Sequence, residues 1–231
     1  MKTEFFVPSF FIFLVIVVII GGCGNNSPAS NQDSYIYSTE DYFPLEVGNT
    51  WIFESYHNEV FQSTVNEIIT SLDTLSSYEA YKTIFTTIRN SEDTSSTVIY
   101  YAFKGDTLLW YSDYYNEWVM SSNLYNISEF QAGDTMHSSV TDDSMQINLQ
   151  TVMGKNATVE VMGQNYYYCL WIRSEYTDNE PLNMDYYYET YDYYYSPGIG
   201  EVLRRWYRMD VIDGDSTIML GERKLKSFEV Y

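Results

Sequence analysis

From Trp51 onward apolar and polar residues alternate with a period of two, in a chain whose β-branched and aromatic residues favour pleated strands. Trp51, Phe53 and Ser55 alternate with Ile52, Glu54 and Tyr56, and the run 78–88 puts Tyr78, Ala80, Ile84 and Ile88 on one side. That period sends successive side chains to opposite faces of a sheet. His57-Asn58-Glu59 turns the chain between its first two strands. Runs 97–103 and 107–111 flank Lys104-Gly105-Asp106, runs 145–153 and 157–162 flank Gly154-Lys155-Asn156, and runs 201–212 and 216–220 flank Asp213-Gly214-Asp215. A three-residue loop containing glycine between two strands is a hairpin signal. The expected class is therefore all-β: a single strongly curved antiparallel sheet or an open barrel, of about ten strands joined as a meander of hairpins. Aromatics on both faces of many strands favour a wrapped sheet over a sandwich. The span 116–143 has no clear pattern and is expected to hold a short helix or a long loop, broken at Ala132-Gly133-Asp134. No repeat of fixed period points to a propeller or solenoid.

The N-terminus sets the compartment. Lys2 precedes a run from Phe5 to Ile20 that is apolar apart from Pro8 and Ser9, and then comes Ile20-Gly21-Gly22-Cys23. This resembles a bacterial lipoprotein signal peptide, in which a small pair precedes a cysteine that is acylated and becomes the mature N-terminus. The resemblance implies a signal peptide over 1–22, a lipid such as palmitate on Cys23, and attachment to the membrane through it. An uncleaved anchor would need about 20 apolar residues, more than the run supplies, and Pro8 interrupts it. An ordinary secretory signal cut elsewhere is the other alternative, and all three readings export the domain. The expected place is the bacterial cell envelope, at the outer membrane or the cell surface. Residues 23–40, beginning Gly24-Asn25-Asn26-Ser27-Pro28 after the cysteine, make a polar spacer. A single β domain is expected over 41–231.

Composition excludes several functions. The formal charge of −20 argues against nucleic acid, which requires basic surface, and against the anionic face of a membrane. Residues 24–200 hold five basic side chains against twenty-five acidic ones, whereas 201–231 hold six of each. With 45% of residues hydrophobic and 18% aromatic, the acidity is not that of a disordered chain. If Cys23 is lipidated, Cys169 is left alone among apolar neighbours and reads as a buried structural thiol. His57 and His137 stand in no metal-ligand spacing, and Asp142-Asp143 and Asp213-Gly214-Asp215 do not match a calcium loop. No P-loop, Rossmann or nucleophile-elbow fingerprint occurs, so no cofactor, metal or catalytic residue is assigned and the chain is read as a non-enzyme.

Two longer blocks carry a further resemblance. Phe43-Pro44-Leu45-Glu46-Val47-Gly48-Asn49-Thr50-Trp51, the strand around Cys169-Leu170, and Tyr195-Ser196-Pro197-Gly198-Ile199-Gly200-Glu201-Val202 resemble recurring blocks of uncharacterised bacterial lipoproteins. The resemblance implies a β-sheet domain similar to the lipoprotein carriers of the Gram-negative envelope, and supplies no catalytic residues. Tyrosine clusters at 166–168, 186–188 and 191–195 are the most conspicuous local feature, interleaved with Glu175, Asp178, Glu180, Asp185, Glu189 and Asp192. Tyrosine packs well in strands, and it also stacks on sugars or apolar ligands. Tyr167, Tyr187, Tyr194 and Trp206 are the candidate ligand-binding residues. The expected activity is a binding or carrier module for an apolar ligand or an envelope protein partner, with a hollow of hundreds of Å³, roughly the usual pocket range. The alternative is a glycan-binding module on the tyrosine-rich strands. Along β-alternation, Leu203, Arg205, Tyr207, Met209 and Val211 form the more apolar face and are expected to point to the core, leaving Arg204, Trp206 and Arg208 outside.

Overall fold

The computed structural model describes residues 37–89, 93–112, 117–140, 146–180, 185–212 and 215–231. The expected signal segment, Cys23, the expected spacer up to residue 36, Asp142-Asp143 and Asp213-Gly214 lie outside the described residues. After a capped single turn α1 (Thr39–Tyr42) come β1 (Thr50–His57), β2 (Val60–Leu75), β3 (Tyr78–Ile88), β4 (Thr94–Phe103), β5 (Thr107–Ser112) and β6 (Glu117–Tyr125). A 3-10 turn at Ile127–Glu129 leads to β7 (Thr135–Val140), β8 (Gln146–Val161), β9 (Gln164–Glu180), β10 (Asp185–Ser196), β11 (Gly200–Ile212) and β12 (Asp215–Glu229). The described residues thus form twelve strands rather than about ten, all in one antiparallel sheet of order β6-β5-β4-β3-β2-β1-β12-β11-β10-β9-β8-β7. Each strand pairs with its neighbour in sequence except β6 with β7, which occupy the two edges, while β1 and β12 pair in the middle. The sheet is open.

Curvature follows from where the apolar side chains meet. Leu108 of β5 and Leu124 of β6 pack in one buried cluster with Val152 of β8, Leu170 and Ile172 of β9, and Tyr195 of β10. Strands from both edges therefore share one inner face. Burying each of these side chains contributes about 1.5–3 kcal/mol. Two-residue turns with both residues at positive φ join β1 to β2 (Asn58-Glu59), β2 to β3 (Ser76-Ser77) and β8 to β9 (Met162-Gly163). That geometry matches the twist of paired strands.

One end of the sheet is plugged. Thr39 donates its backbone N–H to Asp106 Oδ1 (2.5 Å) and its hydroxyl to the Asp106 carbonyl (2.7 Å). Ser128, in the 3-10 turn, donates N–H (2.9 Å) and hydroxyl (2.6 Å) to Asp106 Oδ2. Burial works to raise the Asp106 carboxyl, but these hydrogen bonds outweigh it and hold the group below its ordinary value. Lys155 donates to the Ile127 carbonyl (2.6 Å), so the crossing segment is tied to β8 as well. The two sequence blocks meet at the same end. Trp51 donates its indole N–H to the Ile199 carbonyl (2.5 Å), and the bare Cα of Gly200, at φ +103°, lies under Trp51 and Pro44. Buried Asn49 donates to the Pro44 carbonyl (3.1 Å) and accepts from the Tyr231 N–H (2.9 Å).

Two expectations need correction. The span 116–143 holds strands β6 and β7 and a 3-10 turn, with Gly133 at φ +95°. Gly154-Lys155-Asn156 is no hairpin: β8 runs through it with irregular pairing to β9, and the chain reverses at Met162-Gly163.

Candidate functional site

The inner face of β10, β11, β12 and β1 carries charge where apolar residues are expected. Register puts Tyr193, Arg204, Arg223 and Ser55 in one row across four strands, so two arginines stand directly opposite each other inside the fold. Like charges in that relation repel. Two carboxylates offset them: Glu201 Oε2 accepts from Arg204 Nη2 (2.6 Å), and Glu67 of β2 accepts from Arg223 Nη2. Glu201 reaches the face of Arg204 because β11 bulges at Val202, between the pairs Tyr194–Leu203 and Tyr195–Glu201. Without that extra residue, alternation would set Glu201 and Arg204 on opposite faces. Arg204 and Arg208 therefore point inward, and Arg205 is the outward, half-exposed residue. This reverses the expected facing for Arg204 and Arg208, whereas Leu203 is buried as expected, in a cluster with Tyr194 and Cys169.

Aromatic rings complete the wall. Arg204 lies over Tyr193 (4.9 Å), Arg208 over Tyr187 (4.7 Å) and Arg223 over Phe53 (3.8 Å). Tyr191, Tyr193 and Tyr195 stack along β10 at 5.9 and 6.2 Å. Glu189 accepts the hydroxyls of Tyr187 and Tyr191 (2.6 Å for Tyr191). Burial first, and Glu189 second, push Tyr187 up to about 12. Burial pulls the Arg223 guanidinium down to about 9, which still leaves it a cation at neutral pH. For Arg204 burial works downward, but Glu201 beside it outweighs burial and the group sits above its ordinary value. The row borders a chamber of about 170 Å³ lined by Phe53, Phe85, Tyr101 and Tyr195 among others. A second hollow of about 290 Å³ shares Arg204 and Arg223 and continues along Ser55, Tyr191 and Trp206.

The outer face of the same strands carries a ladder of alternating charge. Arg173, Asp192, Arg205, Glu222 and Tyr56 stand in register across five strands. Arg173 grips Asp192 through Nε to Oδ1 (2.9 Å) and Nη2 to Oδ2 (2.8 Å), and Arg205 Nε donates to Glu222 Oε1 (2.9 Å). The ladder floors a groove of about 680 Å³ whose walls include Tyr56, Tyr188 and Tyr207, with Asn58 and Leu220 at one end.

The four tyrosine and tryptophan candidates separate. Tyr187 and Trp206 share the inner face, where the Trp206 ring covers Gly221 on β12. Tyr194 is buried on the other face, stacked on Trp171 at 5.5 Å. Tyr167 is 57% exposed near the β8–β9 turn. Glu67 and Arg223, 156 positions apart, were not legible as a pair. Cys169 is buried, and burial pushes its thiol up to about 11. Among the described residues no group of three His, Cys, Asp or Glu side chains is placed to hold a metal, and no helix is long and apolar enough to cross a membrane.

No protein-family model and no curated protein matches the sequence. Two solved structures resemble it. One, a provisionally assigned lipoprotein of Parabacteroides distasonis ATCC 8503, is 13% identical with a TM-score of 0.47 over 81% of this chain and 98% of that one. The other, a provisionally assigned exported protein with a YmcC-like fold from Bacteroides fragilis NCTC 9343, is 14% identical with a TM-score of 0.49 over the same shares. Neither likeness assigns an activity to this chain.

Proposed function

We propose that this chain is a lipid-anchored, non-catalytic protein of the bacterial envelope, held at the outer membrane or cell surface through Cys23, which binds a neutral glycan in the outer groove. The observation that carries this reading is the ladder Arg173–Asp192–Arg205–Glu222 beneath Tyr56, Tyr188 and Tyr207. Its four charges neutralise one another while leaving carboxylate and guanidinium edges, and Glu59 adds one further carboxylate to the lining, which suits an uncharged ligand with many hydroxyls over an anionic one. Tyrosine faces add stacking on sugar rings. The groove volume of about 680 Å³ is in the range of small-ligand sites. An apolar cargo is the weaker fit, since the inner chamber is about 170 Å³ and holds two ion pairs.

Affinity electrophoresis through gels containing bacterial polysaccharides tests the groove. Retardation that is lost in Tyr207→Ala and Tyr188→Ala, at unchanged melting temperature, is the expected result. Equal retardation of both variants and the parent refutes it. Labelling with a fatty acid tests the anchor: Cys23→Ser abolishes the label, and equal label in parent and variant overturns acylation at Cys23.

A further inference from the structure

The inner chamber is more specific than packing requires. Arg204 Nε, Arg223 Nε and Glu201 Oε1 are buried and have no hydrogen-bond partner among the described residues. Glu201 is 9% exposed, and its Oε1 lies 3.7 Å from Arg223 Nε, too long for a direct bond and suited to a bridging oxygen. Buried donors and acceptors left unmade are costly, and two arginines opposed across strands are costly again. A side-chain arrangement of this kind calls for an oxygen, of water or of a ligand, to complete the bonding.

The chemistry of that ligand follows from the three free atoms and from the charge. Two guanidinium N–H groups need an acceptor, and one carboxylate oxygen needs a donor. A hydroxyl is the group that does both with one oxygen. Arg204, Arg223, Glu67 and Glu201 sum to zero, so an anion or a cation would enter as an uncompensated buried charge. The rings of Phe85 and Tyr101 suit the C–H faces of a ring. The chamber's volume, about 170 Å³, is close to that of an engineered cavity of about 150 Å³ that holds benzene. We infer that the inner chamber is a binding site for a small neutral hydroxylated molecule, one six-membered ring in size, whose hydroxyls bridge Arg204 and Arg223 to Glu201. This site lies on the opposite face of the strands from the groove and stands independently of the glycan reading.

Calorimetric titration of the exported chain with myo-inositol tests it, with acetate as an anionic control. Saturable uptake of inositol and none of acetate is expected. Arg204→Lys keeps the charge beside Glu201 but removes the Nε donor, and weakens inositol binding about tenfold or more. Phe85→Trp, opposite Glu67 in register, narrows the chamber while keeping all four charged side chains, and abolishes binding even if Arg204→Lys fails to fold. Tyr207→Ala, on the outer face, leaves inositol binding unchanged whatever it does to polysaccharide binding. Absence of saturable inositol uptake by the parent chain means that waters alone fill the chamber, and overturns the inference. Acetate binding as tight as inositol, or inositol binding untouched by Phe85→Trp, overturns it as well.

Discussion

The two faces of β11 and β12 present the same residue types in two energetic settings. On the inner face Arg204 and Arg223 sit among rings and meet Glu201 and Glu67, with the Arg223 side chain 14% exposed. On the outer face Arg205 meets Glu222 with its side chain 51% exposed, while the bidentate Arg173–Asp192 pair, 33% and 18% exposed, lies between the two settings. A buried charge depends wholly on its partner, because water cannot replace it. An exposed pair contributes little, since water and salt take over when it breaks. The contrast separates what holds this sheet from what decorates it.

Arg223→Met strikes that contrast hardest. It leaves Glu67 and part of Glu201 without a counter-charge, and a loss of about 3–5 kcal/mol is expected in urea unfolding. A loss under 1 kcal/mol would mean that the inner pairs are as weak as the outer ones. Gly221→Ala acts on the same face without touching charge. An added Cβ overlaps the Trp206 ring, so the ring must leave its seat, at about 1–3 kcal/mol. Trp206 fluorescence should shift to the red with it; an unshifted spectrum at parental stability would place the ring elsewhere.

Asp106→Asn tests the plug by pH. The Asp106 carboxyl is held below its ordinary value, so its contribution is complete above about pH 4 and is lost as pH falls through the folded value. The variant is expected to be less stable by about 1–2 kcal/mol at neutral pH, and the gap to close as acid is added. A gap that stays constant down to pH 2 (roughly two units below the free group) would show that Asp106 does not titrate with the fold. Arg205→Gln, on the outer ladder, has the smallest effect, about 0.2–1 kcal/mol, and the difference should vanish in 1 M salt, where the screening length is about 3 Å. Persistence in high salt would put the outer ladder in the buried class.

Sheet class, meander order and several turns were legible because alternation and turn chemistry are local. His57-Asn58-Glu59 and Lys104-Gly105-Asp106 reverse the chain where their composition says they should. Met162-Gly163 was missed because methionine gives no signal for the left-handed φ of 51° that it adopts there. Gly154-Lys155-Asn156 misled for the opposite reason, having turn composition in an extended segment. The facing of β11 held for buried Leu203 and failed for its inward arginines. Counting apolar positions put Leu203, Tyr207 and Met209 inside, and nothing in the local sequence announces that charges on the other side would find Glu67 across 156 positions. Nor does a glycine or proline stand at the bulge itself, Gly200 lying two residues before Val202.

The pairing of β1 with β12 has a consequence for how the chain is made. Synthesis delivers β1 first and β12 last, yet these two form the central seam, and each half beside it is a run of six hairpin-linked strands. Each half can zip as it emerges, because its pairings are between sequence neighbours. Until residues 215–229 arrive, however, the long edge of β1 stays unpaired, and an unpaired edge recruits other chains. Contacts between distant segments are also the slowest to form. A chain cut short before β12 would lose its middle rather than its fringe, and would present two half-sheets with sticky edges where one seam should be.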